Sequence, residues 1–152
     1  PMPKLLFTLL LACCFALQLT AQKITPNKVP GAVGSAFRSK FPQAQQDSWF
    51  MADSGNYQVQ FFNDKKVQSA TFDSKGIWLQ TETEINLNQL PAAVNRSFNS
   101  QFQGFSVQEV YMVETPKGTT YAFTAFKGKE SYDLVFGPKD DLLKKEMFTE
   151  EE

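Results

Sequence analysis

The sequence contains no histidine, and its only cysteines, Cys13 and Cys14, lie within the first 21 residues. If that segment is removed, the remaining chain has neither a thiol nor an imidazole. It then cannot form a disulfide framework, a zinc site built on cysteine and histidine, or a Ser-His-Asp triad. We therefore predict a protein that is not an enzyme and that binds no metal or cofactor.

The charge balance argues against a nucleic-acid partner. The chain has 15 Lys+Arg and 16 Asp+Glu, a net charge of -1, and a pI near 5.6. Proteins that bind nucleic acid usually carry an excess of basic residues on one face. Apolar residues make up 42% of the 152 residues, which favours a folded chain of one domain or two very small ones.

The first 21 residues have the layout of a secretory signal peptide. Lys4 precedes an almost wholly apolar run from Leu5 to Leu19, and Ala21 is a small residue at the predicted cleavage site. The run is too short for a transmembrane helix, which needs about 20 apolar residues. We expect cleavage before Gln22 and a periplasmic or secreted protein with no transmembrane span.

A lipid anchor on Cys13 is a less favoured alternative. Residues 10–13 loosely resemble a bacterial lipobox, in which the cysteine is lipidated and becomes the mature N-terminus. Leu11 is bulky where that motif prefers a smaller residue.

The chain contains an internal repeat. Residues 24–41 align with residues 85–102 at an offset of 61, with eight identities in 18 positions. Further along, the offset becomes 64, so that Tyr57 matches Tyr121 and Phe62 matches Phe126. We predict a first repeat at residues 22–85 and a second at residues 86–152, together forming one compact unit.

Each repeat is predicted to begin with a helix. Asn27 and Asn88 suit the N-cap position, and Pro30 and Pro91 suit the first turn, where a missing N–H costs little. Apolar residues then recur at helical spacing in both copies. Gly31 and Gly34 each weaken the first helix by up to about 1 kcal/mol relative to alanine.

Four short strands follow each helix. Runs of alternating polarity are separated by short turns rich in Gly, Asp, Asn and Lys, which makes neighbouring strands antiparallel. The predicted strands are residues 47–52, 57–62, 67–72 and 77–84, then 107–114, 121–127, 131–136 and 142–148. The predicted fold is α+β, an α-β-β-β-β unit repeated twice, with the helices on one face of a curved antiparallel sheet.

The alternation also predicts which side chains lie opposite the helices. Tyr57, Val59 and Phe61 suit the covered face, as do Ile77 and Leu79, whereas large aromatics among polar neighbours on the other face are typical of a protein-binding patch. Alternatively, packing between the repeats would bury these aromatics. The sequence does not decide between a protein-binding patch and burial between the repeats. The predicted partner-binding residues are Phe62, Trp78, Gln80, Glu82, Thr124, Phe126 and Asp133.

Two acidic motifs are predicted to be structural, with no role in catalysis or metal binding. Asp73-Ser74-Lys75-Gly76 lacks the ligands of a calcium loop and is predicted to be a hairpin turn. Glu82 and Glu84 could be taken for a hydrolytic carboxylate pair, but near a strand end they are predicted to be solvated.

The two copies resemble PepSY-like domains, which are related in fold to beta-lactamase-inhibitor protein. The resemblance rests on VPGAVGSAF and LPAAVNRSF, on Trp49, and on the segments at residues 72–85 and 134–146. It spans about Val29 to Glu146 and implies an exported bacterial envelope protein with a repeat of one helix and four strands. The two copies differ at one turn, where the first has Asp73-Ser74-Lys75-Gly76 and the second has Gly137-Pro138-Lys139-Asp140.

The functional expectation is an exported binding module whose open sheet face engages an unidentified protein or peptide of the cell envelope. A peptidase that it inhibits is one such partner, a role that the resemblance suggests. The main alternative is a carrier that holds a small apolar ligand between helices and sheet. The oligomeric state is left open.

Overall fold

A computed structural model describes residues 21–148, which divide into two compact units at residues 21–83 and 84–148. The predicted signal peptide and Cys13 fall outside the described residues, apart from Ala21. This described part of the chain is α+β, as predicted, with two α-helices and nine strands. Within each unit, strands that follow one another in the chain pair antiparallel.

The N-terminal unit contains one α-helix and the first five strands. The short strand β1 pairs with β2, and β2 to β5 form a meander joined by hairpin turns. The last two residues of β5 belong to the C-terminal unit. The elements are β1 (Gln22–Ile24), a 3-10 helix (Pro26–Lys28), α1 (Gly31–Lys40), β2 (Gln45–Met51), β3 (Tyr57–Asn63), β4 (Lys66–Phe72) and β5 (Trp78–Ile85).

The C-terminal unit has a similar order of elements. Four antiparallel strands follow its helix, and the predicted strand positions are confirmed within three residues in both units. Its elements are a 3-10 helix (Leu87–Gln89), α2 (Ala92–Gln101), β6 (Ser106–Thr115), β7 (Gly118–Lys127), β8 (Glu130–Phe136) and β9 (Leu142–Phe148).

The predicted N-caps Asn27 and Asn88 are wrong, because both residues lie inside the 3-10 helices. The residue before each proline is held in extended conformation by the proline ring, so a helix cannot run through it. Val29 accordingly has φ -81° and ψ 125°, and Leu90 has φ -61° and ψ 141°. Each α-helix therefore begins only after Pro30 or Pro91, with that proline as N-cap.

Each helix packs against the strands of its own unit. In the N-terminal unit, Phe37 meets Phe61 and Trp49 edge-on, with ring centroids 5.1 Å and 5.3 Å away. In the C-terminal unit, Phe98 meets Phe123 edge-on at 5.2 Å. The buried residues of the N-terminal core are Val33, Phe37, Trp49, Val59, Phe61, Ala70 and Phe72. Those of the C-terminal core are Leu90, Val94, Phe98, Phe102, Val110, Phe123, Ala125, Leu134 and Phe136.

The turn between β4 and β5 touches the backbone of α1 through a glycine. Gly76 has φ +85°, and a Cβ at this position would lie 2.6 Å from the carbonyl oxygen of Ala32. Gly55 has a similar φ of +82°, but a Cβ there would meet nothing within 4 Å. Substituting each glycine therefore distinguishes two destabilising effects. Both positions test the strain of a left-handed backbone, and only Gly76 also tests the close approach to α1.

We expect Gly76→Ala to lower the free energy of unfolding by about 2–5 kcal/mol, since left-handed strain and a backbone clash combine. Gly55→Ala is the matched control and should cost only the strain, about 1–2 kcal/mol. Urea denaturation of both variants measures the difference. Equal losses would mean that this turn does not contact α1.

Candidate functional site

Polar side chains occupy the face of β3, β4 and β5 that lies opposite α1. We call Gln58, Gln60, Ser69, Thr71, Gln80 and Glu82 the polar face. The register pairs Gln60 with Ser69 and Ser69 with Glu82, so these side chains lie side by side across three strands. Gln58 Nε2 donates to Ser69 Oγ at 2.7 Å, and Gln80 Nε2 donates to Glu82 Oε1 at 2.8 Å. Four of these six side chains are thus joined in hydrogen-bonded pairs.

An exposed apolar pair borders the polar face. Phe62 on β3 and Val67 on β4 are directly paired, and they are 41% and 58% exposed. Phe61, the neighbour of Phe62, is buried on the helix side. Phe62 therefore lies where the sequence predicts, on the face opposite the helix and accessible to a partner.

Glu82 is only partly exposed, which differs from the expectation that it is solvated. Burial raises its pKa to about 7, and the hydrogen bond from Gln80 offsets part of that rise. Thr71 on β4, which pairs with Gln80, is buried, and its Oγ1 has no hydrogen-bond partner among the described residues. The polar face therefore carries a carboxyl group that changes charge near neutral pH.

The face prediction for the start of β5 is wrong. A register irregularity lies between Thr71 and Phe72, so Phe72 pairs with Trp78 rather than with Leu79. Trp78 packs against the N-terminal core, and Lys40 Nζ of α1 lies 3.8 Å from the centre of its ring. Its Nε1 donates to Thr81 Oγ1 at 2.9 Å. Trp78 is thus on the helix side, and Ile77, predicted to be covered, is exposed.

Thr124 and Asp133 are buried and bonded to each other, so the expectation that they lie on an open face is wrong. They are directly paired on β7 and β8, and Thr124 Oγ1 donates to Asp133 Oδ1 at 2.9 Å. Phe126 is partly buried and pairs with Ser106 and Ser131. The structure therefore leaves Phe62, Gln80 and Glu82 together in the N-terminal unit, and Phe126 in the C-terminal unit.

Glu109 is an acidic residue of the C-terminal unit that the sequence analysis missed. It has φ 51° and lies where the β6–β7 register shifts between Gln108 and Tyr111. Burial raises its pKa, and the negative charges of Glu84 and Asp133 raise it further. Strand alternation cannot reveal this position, because a bulge changes the direction of the side chain locally.

The Asp73 turn is a hydrogen-bonded hairpin turn, as predicted. Asp73 Oδ1 accepts from the backbone N–H groups of Lys75 and Ile77, each at 2.9 Å. That oxygen is therefore engaged by the turn itself. No group of three or more Asp, Glu, Cys or His side chains within residues 21–148 is placed to hold a metal ion.

These features define an α+β protein with antiparallel meanders covered on one side by short helices. Three solved structures from Bacteroides species are similar to it. A protein of B. ovatus described as a DUF2874 family member is 29% identical, with a TM-score of 0.74 over 82% of this chain and 89% of its own. A BLIP-like protein of B. fragilis is also 29% identical, with a TM-score of 0.71 over 81% and 89%. A B. eggerthii protein described as periplasmic is 25% identical, with a TM-score of 0.73 over 80% and 90%.

The chain belongs to the PepSY-like family. A family model described as beta-lactamase-inhibitor-like and PepSY-like matches residues 55–144, which confirms the resemblance drawn from the sequence. No curated protein matches the chain. Within residues 21–148, neither helix is long and apolar enough to cross a bilayer.

The raised pKa of Glu82 predicts a pH dependence of stability. Between pH 4.5 and 7 the folded protein keeps a proton that the unfolded chain releases, so the free energy of unfolding falls as the pH rises through this range. Glu82→Gln should remove that part of the decline and stabilise the protein at pH 8 by at most about 3 kcal/mol. Urea denaturation at pH 5 and pH 8 measures the effect. The exposed Glu130→Gln is the control, and an equal pH dependence in both variants would contradict a raised pKa at Glu82.

Proposed function

We propose that the protein is an exported, non-enzymatic binding module that engages a protein or peptide through its N-terminal unit. The binding surface consists of the polar face together with Phe62 and Val67. The observation that carries the proposal is the exposed Phe62–Val67 pair beside side chains already held by hydrogen bonds. An aromatic anchor among ordered polar groups is the arrangement that dominates binding energy in protein interfaces.

The comparisons support this class of function and suggest a class of partner. The family is described as beta-lactamase-inhibitor-like, and the B. fragilis protein is called BLIP-like. We infer that the partner is an enzyme of the cell envelope, such as a peptidase, which binding would inhibit. The B. eggerthii protein, described as periplasmic, supports a periplasmic location. Phe126 remains a proposed contact residue of the C-terminal unit.

We further propose that the two units are copies of one module, in each of which the helix covers one face of a curved antiparallel sheet. The repeated residues at offsets of 61 and 64 support the duplication. So does the shared order of a 3-10 turn, a ten-residue helix and a strand meander.

The alternative, a small apolar ligand held between helix and sheet, has less support. Side chains fill the centre of each helix–strand contact, since Val33, Val59, Val94 and Phe123 are completely buried.

The double variant Phe62→Ser/Val67→Thr should weaken partner binding at least tenfold, because it removes the apolar anchor and keeps the strands. A partner is first enriched from envelope extract on the wild-type protein, identified, and purified. Its affinity for each variant is then measured by interferometry, together with its catalytic activity in their presence.

Leu143→Ser is the matched control, since Leu143 is an exposed apolar residue on β9. It should leave the affinity unchanged. A partner that binds the double variant as tightly as the wild type would contradict the proposed surface.

A further inference from the structure

A pocket of about 440 Å³ lies beside α1 in the N-terminal unit. Phe37, Phe41 and Trp49 supply its aromatic lining, and Arg38 and Asp47 also line it. Phe37 and Trp49 belong to the N-terminal core, on the side of the strands that α1 covers. The polar face is on the opposite side, so the pocket is separate from it. Its volume is within the range of small-molecule sites, about 300–1,000 Å³.

Small residues in the N-terminal unit create this space. Gly31 and Gly34 line the pocket from α1, and Ala44 lines it just before β2. At the sequence offset of 61, the corresponding residues of the C-terminal unit are larger: Ala92, Asn95 and Phe105. The ring of Phe105 packs edge-on against Phe102 at 5.6 Å and belongs to the C-terminal core. The glycines that weaken α1 therefore have a structural consequence, which is an open pocket.

Two opposite charges line the pocket without neutralising each other. Arg38 is on α1 and Asp47 is on β2, and no ion pair joins either of them to another described residue. Asp47 Oδ2 accepts from Trp49 Nε1 at 3.0 Å, which orients the carboxylate and leaves Oδ1 for a ligand. The corresponding residues in the C-terminal unit, Asn99 and Gln108, are uncharged.

The N-terminus of α1 adds partial positive charge to the side of the pocket that Arg38 lines. Pro30 is the N-cap and supplies no side-chain hydrogen bond to the first N–H groups of the helix. Pro30 and Gly31 both line the pocket. A guanidinium close to Gly34 and an uncapped helix start both favour a negatively charged ligand group on this wall.

We propose that the pocket binds a small zwitterion with an apolar side chain, which is the chemistry of a free hydrophobic amino acid. The ligand carboxylate pairs with Arg38, the ammonium pairs with Asp47, and the side chain packs against the aromatic lining. This site is independent of the protein-binding surface proposed above.

The two tryptophans allow a test with an internal control. In the ¹H–¹⁵N spectrum of the protein, L-phenylalanine should shift the indole signal of Trp49, which lines the pocket, and leave that of Trp78 in place. N-acetyl-L-phenylalanine lacks the ammonium and L-phenylalaninamide lacks the carboxylate. Each should bind at least tenfold more weakly, because one charge-assisted contact is lost.

Substitutions by the residues of the C-terminal unit complete the test. Ala44→Phe should abolish the Trp49 shift by filling the pocket, and Arg38→Asn and Asp47→Gln should each weaken binding at least tenfold. Lys28→Gln, an exposed charge outside the pocket, should change nothing. If Ala44→Phe does not fold, the two charge variants decide.

Three results would overturn the proposal. One is a Trp49 signal that millimolar L-phenylalanine leaves unshifted, and another is a folded Ala44→Phe variant that retains the affinity. Equal binding of all three compounds would also overturn it, since it would indicate an apolar pocket with no role for the charges.

Discussion

One short helix can cover only one face of the strands that follow it, and this constraint organises the N-terminal unit. α1 buries Val33 and Phe37 against the apolar side of β3 and β4. The helix alone is marginal, since ten residues with two glycines do not hold a helix in water without packing. The same contact that stabilises the helix therefore decides which strand face is covered and which remains free to carry Phe62, Gln80 and Glu82.

Much of this fold is readable from the sequence, because strand alternation and turn residues are local signals. They locate eight of the nine strands and correctly separate Phe61 from Phe62. β1 has only three residues, too few for a periodic pattern, and its strand identity depends on pairing with β2. The N-cap pattern at Asn27 does not locate the helix start, because Pro30 holds Val29 in extended conformation.

The site is less predictable than the fold, because it depends on register and burial. An irregularity in the β4–β5 pairing places Trp78 on the helix side instead of the opposite face. The residues of β5 give no sequence signal for this irregularity. Glu82 is a charged residue near a strand end and is therefore predicted to be solvated, yet burial in the fold raises its pKa. The pocket does have a signal in the sequence, which is the glycines and charges of the N-terminal unit that the aligned residues of the C-terminal unit lack. That signal becomes interpretable once the lining of the pocket is known.

The central claim is that β3 presents Phe62 to solvent while α1 covers Phe61. Hydroxyl-radical footprinting read by mass spectrometry tests it directly, since the two residues are adjacent, of one type, and 41% and 3% exposed. The account predicts much faster oxidation of Phe62 than of Phe61. Equal rates, or faster oxidation of Phe61, would contradict both the strand register and the binding surface built on it.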